Sequence, residues 1–587
     1  MITKYMSRRD RLLIIPVVAL IVAQIFFDLK IPEYMQSMTY ALQTGTTLDA
    51  ISRDGVGMIV CALLSLVASL SAGTIIAFIA ASFGRTLRHE IYSKSQGLSA
   101  DDIATLTVAS LITRTTGDIK EVQVFVSTAL QTVIKAPILS VWAIAKISGG
   151  GWQWTVATAG CVIFLVAAIS LITYLSIKYF DRAQKLTDSL NSETRESVLG
   201  SKVVRAYNAE EFQCQKFEKA SNDMLDNYMG LFHVRFPLFM LPSVVSNFLT
   251  ASIYWIGAVL ISSASGAGEQ MVLFSDMIAF SSYGLQVLNA FVMIADFIRD
   301  YPRVIVSVRR VEEVLGFEPS IAYVSSVPSA GSPRVQFENV SFRYPGTTRD
   351  ALSEVSFCVE PGSTLGIIGQ TGCGKSTVAK LLQRSYDADG GSIEIGGVAV
   401  SDYPRSMLKS RMAYVPQEAK LFSGTVRENV NFGDTEDQRT DEDVWKALED
   451  AQAADFVRAM PEGLDTVISQ HGRELSGGQR QRLSIARALC RRSEILILDD
   501  SFSALDMATE SRLVSAVREG MPGTTKIIIS QRVRSIISAD RILVLDEGRV
   551  AGYGDHETLM RTCPKYAGIV STQMEARRWP YRCVLKG

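Results

Sequence analysis

Residues 364–383 read TLGIIGQTGCGKSTVAKLLQ: an apolar strand-like run, a glycine-rich turn, then a helix-compatible segment. Gly369 to Ser376 match G-x-x-x-x-G-K-[ST], the pattern of a phosphate-cradling loop set between a strand and a helix. Gly372 and Gly374 let backbone amides curl around phosphate oxygens, Lys375 sets a point charge on the outer phosphates, and Ser376 offers a hydroxyl to Mg2+ at a helix N-terminus. Together with Gln370, Thr371, Cys373 and Thr377 they form the candidate phosphate-binding loop.

Downstream, Ile495 to Leu498 is a buried-strand run ending in Asp499, a carboxylate placed to hold the same metal through its water shell. Twenty residues before that run, Leu475 to Arg482 read LSGGQRQR. Ser476, Gly477, Gly478 and Gln479 would open a helix with small residues, so that exposed amides and the positive helix end face a γ-phosphate. Residues 335–572 alternate short apolar runs with helical segments, the pattern of an α/β domain.

Upstream the composition changes. The chain has 587 residues, 48% hydrophobic and 20% charged, too long and too apolar for one ordinary soluble domain. A helix crossing the lipid core needs roughly 20 mostly apolar residues. Six such runs lie near Leu12–Phe27, Val56–Phe83, Val124–Ala145, Trp152–Ile177, Phe236–Ala264 and Met277–Ile294. No small-residue cleavage site follows the first run, which is therefore expected to stay as a span. Basic residues concentrate at Lys4, Arg8, Arg9 and Arg11 and in the loops 85–123 (five) and 178–235 (nine), which places both termini and both long loops in the cytoplasm. Those polar, helix-compatible loops suggest that spans two to five continue as helices well beyond the lipid.

Asp28, Lys135, Asp296 and Arg299 lie in or beside spans and are weighed as substrate contacts, although span-end positions and snorkelling account for them as well. Trp255, Tyr283, Phe291 and Met293 are read as helix-packing residues. The stretch SSVPSAGSP, Ser325 to Pro333, reads as a linker. The boundaries are thus 1–322 for a membrane domain, 323–334 for a linker, 335–572 for the nucleotide domain and 573–587 for a basic tail expected to be disordered. Formal net charge is −1, which excludes a globally basic nucleic-acid binder. Eight cysteines without a Cys-x-x-Cys pair argue against a zinc site or a secreted disulfide framework and fit a reducing compartment.

Six spans followed by these motifs in this order resemble the ATP-binding cassette (ABC) transporters, over nearly the whole chain, and in particular the half-transporter exporters in which two subunits make a working unit. The resemblance implies an all-α polytopic membrane domain of six transmembrane helices followed by an α/β P-loop NTPase cassette. It also implies that Tyr344 in SFRYPG stacks on adenine, that Gln417 in AYVPQ is the Q-loop residue and a metal ligand beside Ser376 and Asp499, and that Asp506 in SALD is the D-loop aspartate. By the same analogy, residues around 101–120 and 205–213 hold coupling helices that dock on cassettes, and Leu111 to Ile119 (LITRTTGDI) is similar to a stretch often found in the first of these regions.

The chain departs from the family at the catalytic centre. Where a Glu normally follows the metal-binding Asp to polarise water, ILILDDSFSALD has Asp500. Where the switch His is usual, SQRV has Gln531, which bonds a phosphate but carries no proton or positive charge. ISQHG puts Gln470 where a Glu is frequent upstream of the signature. This pattern resembles the degenerate-site half of heterodimeric multidrug exporters, in which each ATP lies between one subunit's P-loop and the other's signature. The expectation is an ATP-hydrolysing translocase with a weak site of its own, a second half-transporter as partner, a bilayer, a hydrophobic or amphipathic small-molecule substrate and no nucleic acid. A siderophore-type importer of the same fold, a homodimeric lipid or drug exporter, and a receptor that signals without transport are the alternatives.

Overall fold

Lipid offers backbone amides and carbonyls no partner, so an apolar run that crosses it must close its hydrogen bonds within a helix. The computed structural model describes residues 2–45, 47–148, 152–324, 331–433 and 439–575. Among the described residues six helices are long and apolar enough to span: Arg8–Gln43, Leu48–Gly97, Val108–Ser148, Trp152–Leu199, Glu210–Ser263 and Ala267–Gly316. The second, fourth and fifth have 50, 48 and 54 residues. At 1.5 Å per residue each is about 70–80 Å long, more than twice the lipid core. The sixth, for which no extension was expected, also runs 50 residues. Residues 325–330 of the expected linker and 576–587 of the expected tail lie outside the described residues.

The chain divides into two compact units, one of residues 1–96 and 108–317 and one of residues 97–107 and 318–587. Within the first, the sixth helix is the centre of the bundle: half of its most apolar stretch is buried, against 17–28% for the other five. Phe280, Tyr283, Val287 and Ala290 recur at helical spacing on its buried face. Leu63, Leu66, Val67 and Leu70 of the second helix are instead exposed, as a lipid-facing stripe requires. Trp255 also points outward, 77% exposed, whereas Tyr283 is buried and donates to the Leu29 carbonyl at 3.3 Å. Phe291 and Met293 pack partly buried against the bundle core. Of the ionisable residues, Asp28 accepts a hydrogen bond from Ser65, Asp296 pairs with Arg299 at 2.7 Å, and Lys135 is half-buried on the third helix.

The second unit is built on a six-stranded sheet. In chain order its strands are β1 (Thr364–Gly369), β2 (Met412–Val415), β3 (Ile495–Asp499), β4 (Thr525–Ile529), β5 (Arg541–Asp546) and β6 (Arg549–Gly554), and in space they lie β6-β5-β1-β4-β3-β2. The pairs within β5-β1-β4-β3-β2 are parallel and β6 runs antiparallel to β5. Strands covered on both faces need apolar side chains at every position. In β3, Ile495 and Ile497 enter one core while Leu496 and Leu498 enter the other; in β4, Ile527 and Ile529 do so against Ile528. Truncating any of these to Ala removes buried methylenes on one face and is expected to cost about 2–5 kcal/mol.

The short helix Ala100–Leu106 belongs to this second unit. Ser99 and Asp102 close a capping box at its N-terminus, and the buried Asp102 carboxylate also accepts the Ser320 amide at 3.2 Å. The corresponding segment of the other long loop, Ser201–Ala206, belongs to the first unit.

Candidate active site

Ligand sites in open parallel sheets form at the carboxyl ends of the strands, and here four neighbouring strands deliver their next residues to one cleft. β1 runs into the P-loop, β2 is followed by Gln417, β3 ends at Asp499 and is followed by Asp500, and β4 is followed by Gln531. The resulting cavity, about 550 Å³, is lined by Gln370 to Thr377, Tyr344, Gln417, Asp499, Asp500 and Gln531. All of these were singled out in the sequence.

The P-loop turns tightly because Gly374 has φ +98°, a conformation side chains resist, and a Cβ there would sit 2.5 Å from the Ala351 carbonyl oxygen. The helix that follows, Lys375–Leu382, aims its first amides into the cleft. Lys375 Nζ donates to the carbonyls of Gly369 and Gln370 at 2.8 and 2.7 Å, which folds the ammonium back over its own loop. Ser376 Oγ donates to Asp499 Oδ1 at 2.8 Å, and Tyr414 Oη donates to Asp499 Oδ2 at 3.2 Å. Burial pushes the Asp499 carboxyl above its ordinary range, against those two hydrogen bonds.

A hydroxyl, a carboxylate and an amide oxygen are hard donors that suit Mg2+. Among the described residues no cluster of three or more His, Cys, Asp or Glu could hold a metal. Ser376, Asp499 and Gln417 line the same cavity and are of the donor type that would suit such an ion, with water and phosphate oxygens completing its shell. That ion would neutralise charge on the phosphates.

Asp500 is constrained in both backbone and side chain. Its φ is +46°, in the left-handed region, which Asp tolerates better than most non-glycine residues. Its amide donates to the Ile529 carbonyl at 2.8 Å. One carboxylate oxygen, Oδ2, accepts from both Gln417 Nε2 at 3.3 Å and Gln531 Nε2 at 3.4 Å. Burial first, then the neighbouring Asp499 charge, push its carboxyl upward. Gln531 Oε1 meanwhile accepts from Thr371 Oγ1 at 3.4 Å, so the switch glutamine bridges the P-loop and the carboxylate. Tyr344 stands at the cavity's rim with its hydroxyl 3.1 Å from Thr377 Oγ1, and Lys380 Nζ lies 5.2 Å from the ring centroid.

Other expected residues lie elsewhere. Gly369 contributes its carbonyl to Lys375 and lines a neighbouring cleft. Ser476, Gly477, Gly478 and Gln479 do not line the cavity. They open the helix Gly477–Cys490 through a capping box, with the Gln479 amide donating to Ser476 Oγ at 3.3 Å and the Ser476 amide to Gln479 Oε1 at 2.8 Å. Asp506 caps the helix Met507–Gly520, accepting from the amides of Ala508 and Thr509. Sequence reasoning passed over Tyr414, although it lies inside AYVPQ, and over Thr347, Arg349, Asp350, Glu547 and Gly548, which line the same cavity from turns without a motif.

Two family models match the chain: the ABC transporter transmembrane region over residues 12–291 and the ABC transporter model over residues 352–503. An uncharacterised ABC transporter ATP-binding protein of Mycobacterium tuberculosis is 34% identical over 503 residues, covering 84% of each chain. The probable multidrug resistance ABC transporter ATP-binding/permease protein YheI of Bacillus subtilis is 34% identical, covering 77% of this chain and 76% of its own. The ATP-dependent lipid A-core flippase of Pseudomonas fluorescens is 32% identical, covering 79% and 76%. The solved structure of a bacterial Atm1-family ABC exporter with ATP bound superposes with a TM-score of 0.80 at 25% identity, covering 96% of this chain and 98% of that one. An exporter-type membrane bundle, a cassette whose glycine-rich loop joins strand to helix at the mouth of one cleft, and relatives matched over most of their length have one meaning: the chain belongs to the ABC transporter family, as an integral membrane, ATP-hydrolysing half-transporter.

Proposed function

We propose that the chain is one half of a heterodimeric exporter of hydrophobic or amphipathic small molecules, with a degenerate ATP site on its own Walker motifs. The observation that carries this reading is the pairing of Asp500 with Gln531 at the hydrolytic centre while Lys375, Ser376 and Asp499 keep their places. In the reaction a water oxygen bonds to the γ-phosphorus as the bridging bond to ADP breaks, and Asp500 must accept a hydrogen bond from that water. One methylene fewer than Glu withdraws the carboxylate by roughly 1.5 Å, and a misplacement of about 1 Å costs on the order of a hundredfold in rate. Gln531 donates to a phosphate oxygen but supplies neither proton nor charge. ATP is thus bound with Mg2+ at Ser376, Asp499 and Gln417, its adenine on Tyr344, and cleaved slowly.

The signature end supports the other half of the reading. A Cβ on Gly477 would meet nothing within 4 Å in its own chain, so the packing of this subunit does not demand a glycine there. A second subunit's γ-phosphate approaching the helix amides does, with Ser476, Gly478 and Gln479 around it and Asp506 at the same junction. The cassette and both termini lie in the cytoplasm, by the excess of basic residues in the N-terminal segment and long loops, most simply at a bacterial inner membrane.

A homodimeric lipid exporter is the second reading, favoured by the flippase relatives. One experiment separates them: steady-state ATPase of the purified chain alone against the chain co-expressed with a half-transporter bearing Glu and His at these two positions. The heterodimer reading expects the lone chain to be slow, and equal rates would remove it.

A further inference from the structure

The helix Pro564–Glu575 places Gln573 beside the switch loop, and that side chain makes two hydrogen bonds to one short backbone segment. Its Nε2 donates to the Gln531 carbonyl at 2.8 Å, and its Oε1 accepts the Val533 amide at 2.9 Å. The amide group therefore reads the backbone on both sides of Arg532 as a neighbouring strand would. Arg532 is held by other segments: Nη1 reaches the buried Glu510 carboxylate at 2.6 Å and Nη2 the Ser503 carbonyl at 3.1 Å. Glu510 also accepts from Ser535, whose hydroxyl accepts from Ser530 at 3.2 Å, and the Arg532 amide donates to Ser530 Oγ at 3.0 Å. The loop is pinned on two sides, and what remains free to point into the cleft is the Gln531 side chain.

We propose that Gln573 is a positioning residue for ATP cleavage, bracing the switch loop so that the residue at 531 stays at bonding distance from Asp500 and Thr371. The proposal rests on the nucleotide-site reading above, because it acts only through Gln531. A neutral side-chain amide suits this role because it carries a donor group and an acceptor group side by side, as a carbonyl and an amide two residues apart require, and neither aliphatic nor charged side chains supply both.

The test uses the full chain purified in detergent. Gln573 is exposed, so Gln573→Leu leaves the core intact while removing both bonds. Deuterium exchange of the 530–536 segment is expected to rise roughly threefold to tenfold, the worth of one or two neutral hydrogen bonds. Gln573→Glu keeps the acceptor for Val533 and is expected to keep more of that protection. In single-turnover cleavage Gln573→Leu should lower the rate by a similar factor with half-saturating ATP changed less than twofold. The double variant with Gln531→Ala should be no slower than Gln531→Ala alone, since a brace acting through residue 531 has nothing left to position. Unchanged exchange at 530–536, or additive losses in the double variant, overturns the proposal. If Gln531→Ala itself leaves cleavage unchanged, the nucleotide-site reading fails and takes the positioning role with it; if Gln531→Ala slows cleavage and Gln573→Leu does not, only the brace fails.

Discussion

The Walker end and the signature end of this cassette are built from the same kind of part, a helix N-terminus that presents backbone amides, yet they are finished differently. At the Walker end the amides of Lys375–Leu382 face a cleft crowded with the chain's own side chains, and the carboxylate at its base is held by two glutamines on one oxygen. At the signature end the helix Gly477–Cys490 opens through its own capping box, and a Cβ on its first glycine would meet nothing within 4 Å. The first end can be weakened by what its own chain supplies. On the heterodimer reading, the second depends on what another chain brings. Substitutions at Asp500 and Gln531 therefore leave the signature end chemically whole.

The sharpest way to break this comparison is Gly477→Asp, which sets a negative charge where amides would face a partner-held γ-phosphate. Removing one preorganised donor in such a site costs about a hundredfold to a thousandfold in turnover. Steady-state ATPase of the assembled transporter is expected to fall by at least that much. Retention of more than half the activity would show that this end serves no active site.

Next in size is the repair of the Walker end. Asp500→Glu with Gln531→His is expected to raise single-turnover cleavage on the order of tenfold to a hundredfold, because the metal and phosphate ligands are already in place. The gain is capped by the backbone. Residue 500 sits at φ +46°, a region that suits Glu less well than Asp, so part of the added reach is lost to strain of roughly 1 kcal/mol. The single Gln531→His variant carries no such cost and separates the two contributions. No gain in either would place the slow step outside these side chains.

Much of this was legible in advance, and the reason is physical. Lipid demands long uncharged runs and phosphate demands glycine, lysine and hydroxyl at fixed spacing, so the six helices and the P-loop announce themselves in one dimension. Residues that act through position alone do not. That Gln417 and Gln531 meet on the same Asp500 oxygen follows from the order β1-β4-β3-β2 in the sheet, which no local pattern encodes. Tyr414 hides within a strand as one more aromatic, and Gln573 sits 42 residues from the carbonyl it braces. The residues of loop 85–123 read only as long, polar and helix-compatible, with docking implied by resemblance alone; in the structure its segment 97–107 groups with residues 318–587, and the Ser320 amide donates to Asp102, 218 residues away.

Lys375→Ala probes the Walker end from the other side. Losing a charge-assisted contact to phosphate weakens ATP binding there by roughly tenfold or more. In the assembled transporter, the heterodimer reading nevertheless expects turnover to fall by less than for Gly477→Asp, about tenfold at most, because on that reading the partner holds the site that cleaves quickly. A loss as severe as that of Gly477→Asp would make the two ends equivalent and favour the homodimer.

The smallest effect distinguishes the fold of the signature end from its function. Ser476 caps its helix, accepting from the Gln479 amide at 3.3 Å while Gln479 returns the bond at 2.8 Å. Ser476→Ala removes one member of this pair, which costs about 1 kcal/mol of cassette stability, read as a lower denaturant midpoint at unchanged slope. ATP affinity at the chain's own Walker site should not move, because Ser476 does not line that cavity. Turnover of the assembled pair should fall, since the hydroxyl and the helix end it holds would face the partner's nucleotide. A stability loss with no change in turnover would reduce Ser476 to a cap, and the case for a partner at this end would rest on Gly477 alone. A loss of affinity at the Walker site of the same chain would contradict the separation of the two ends altogether.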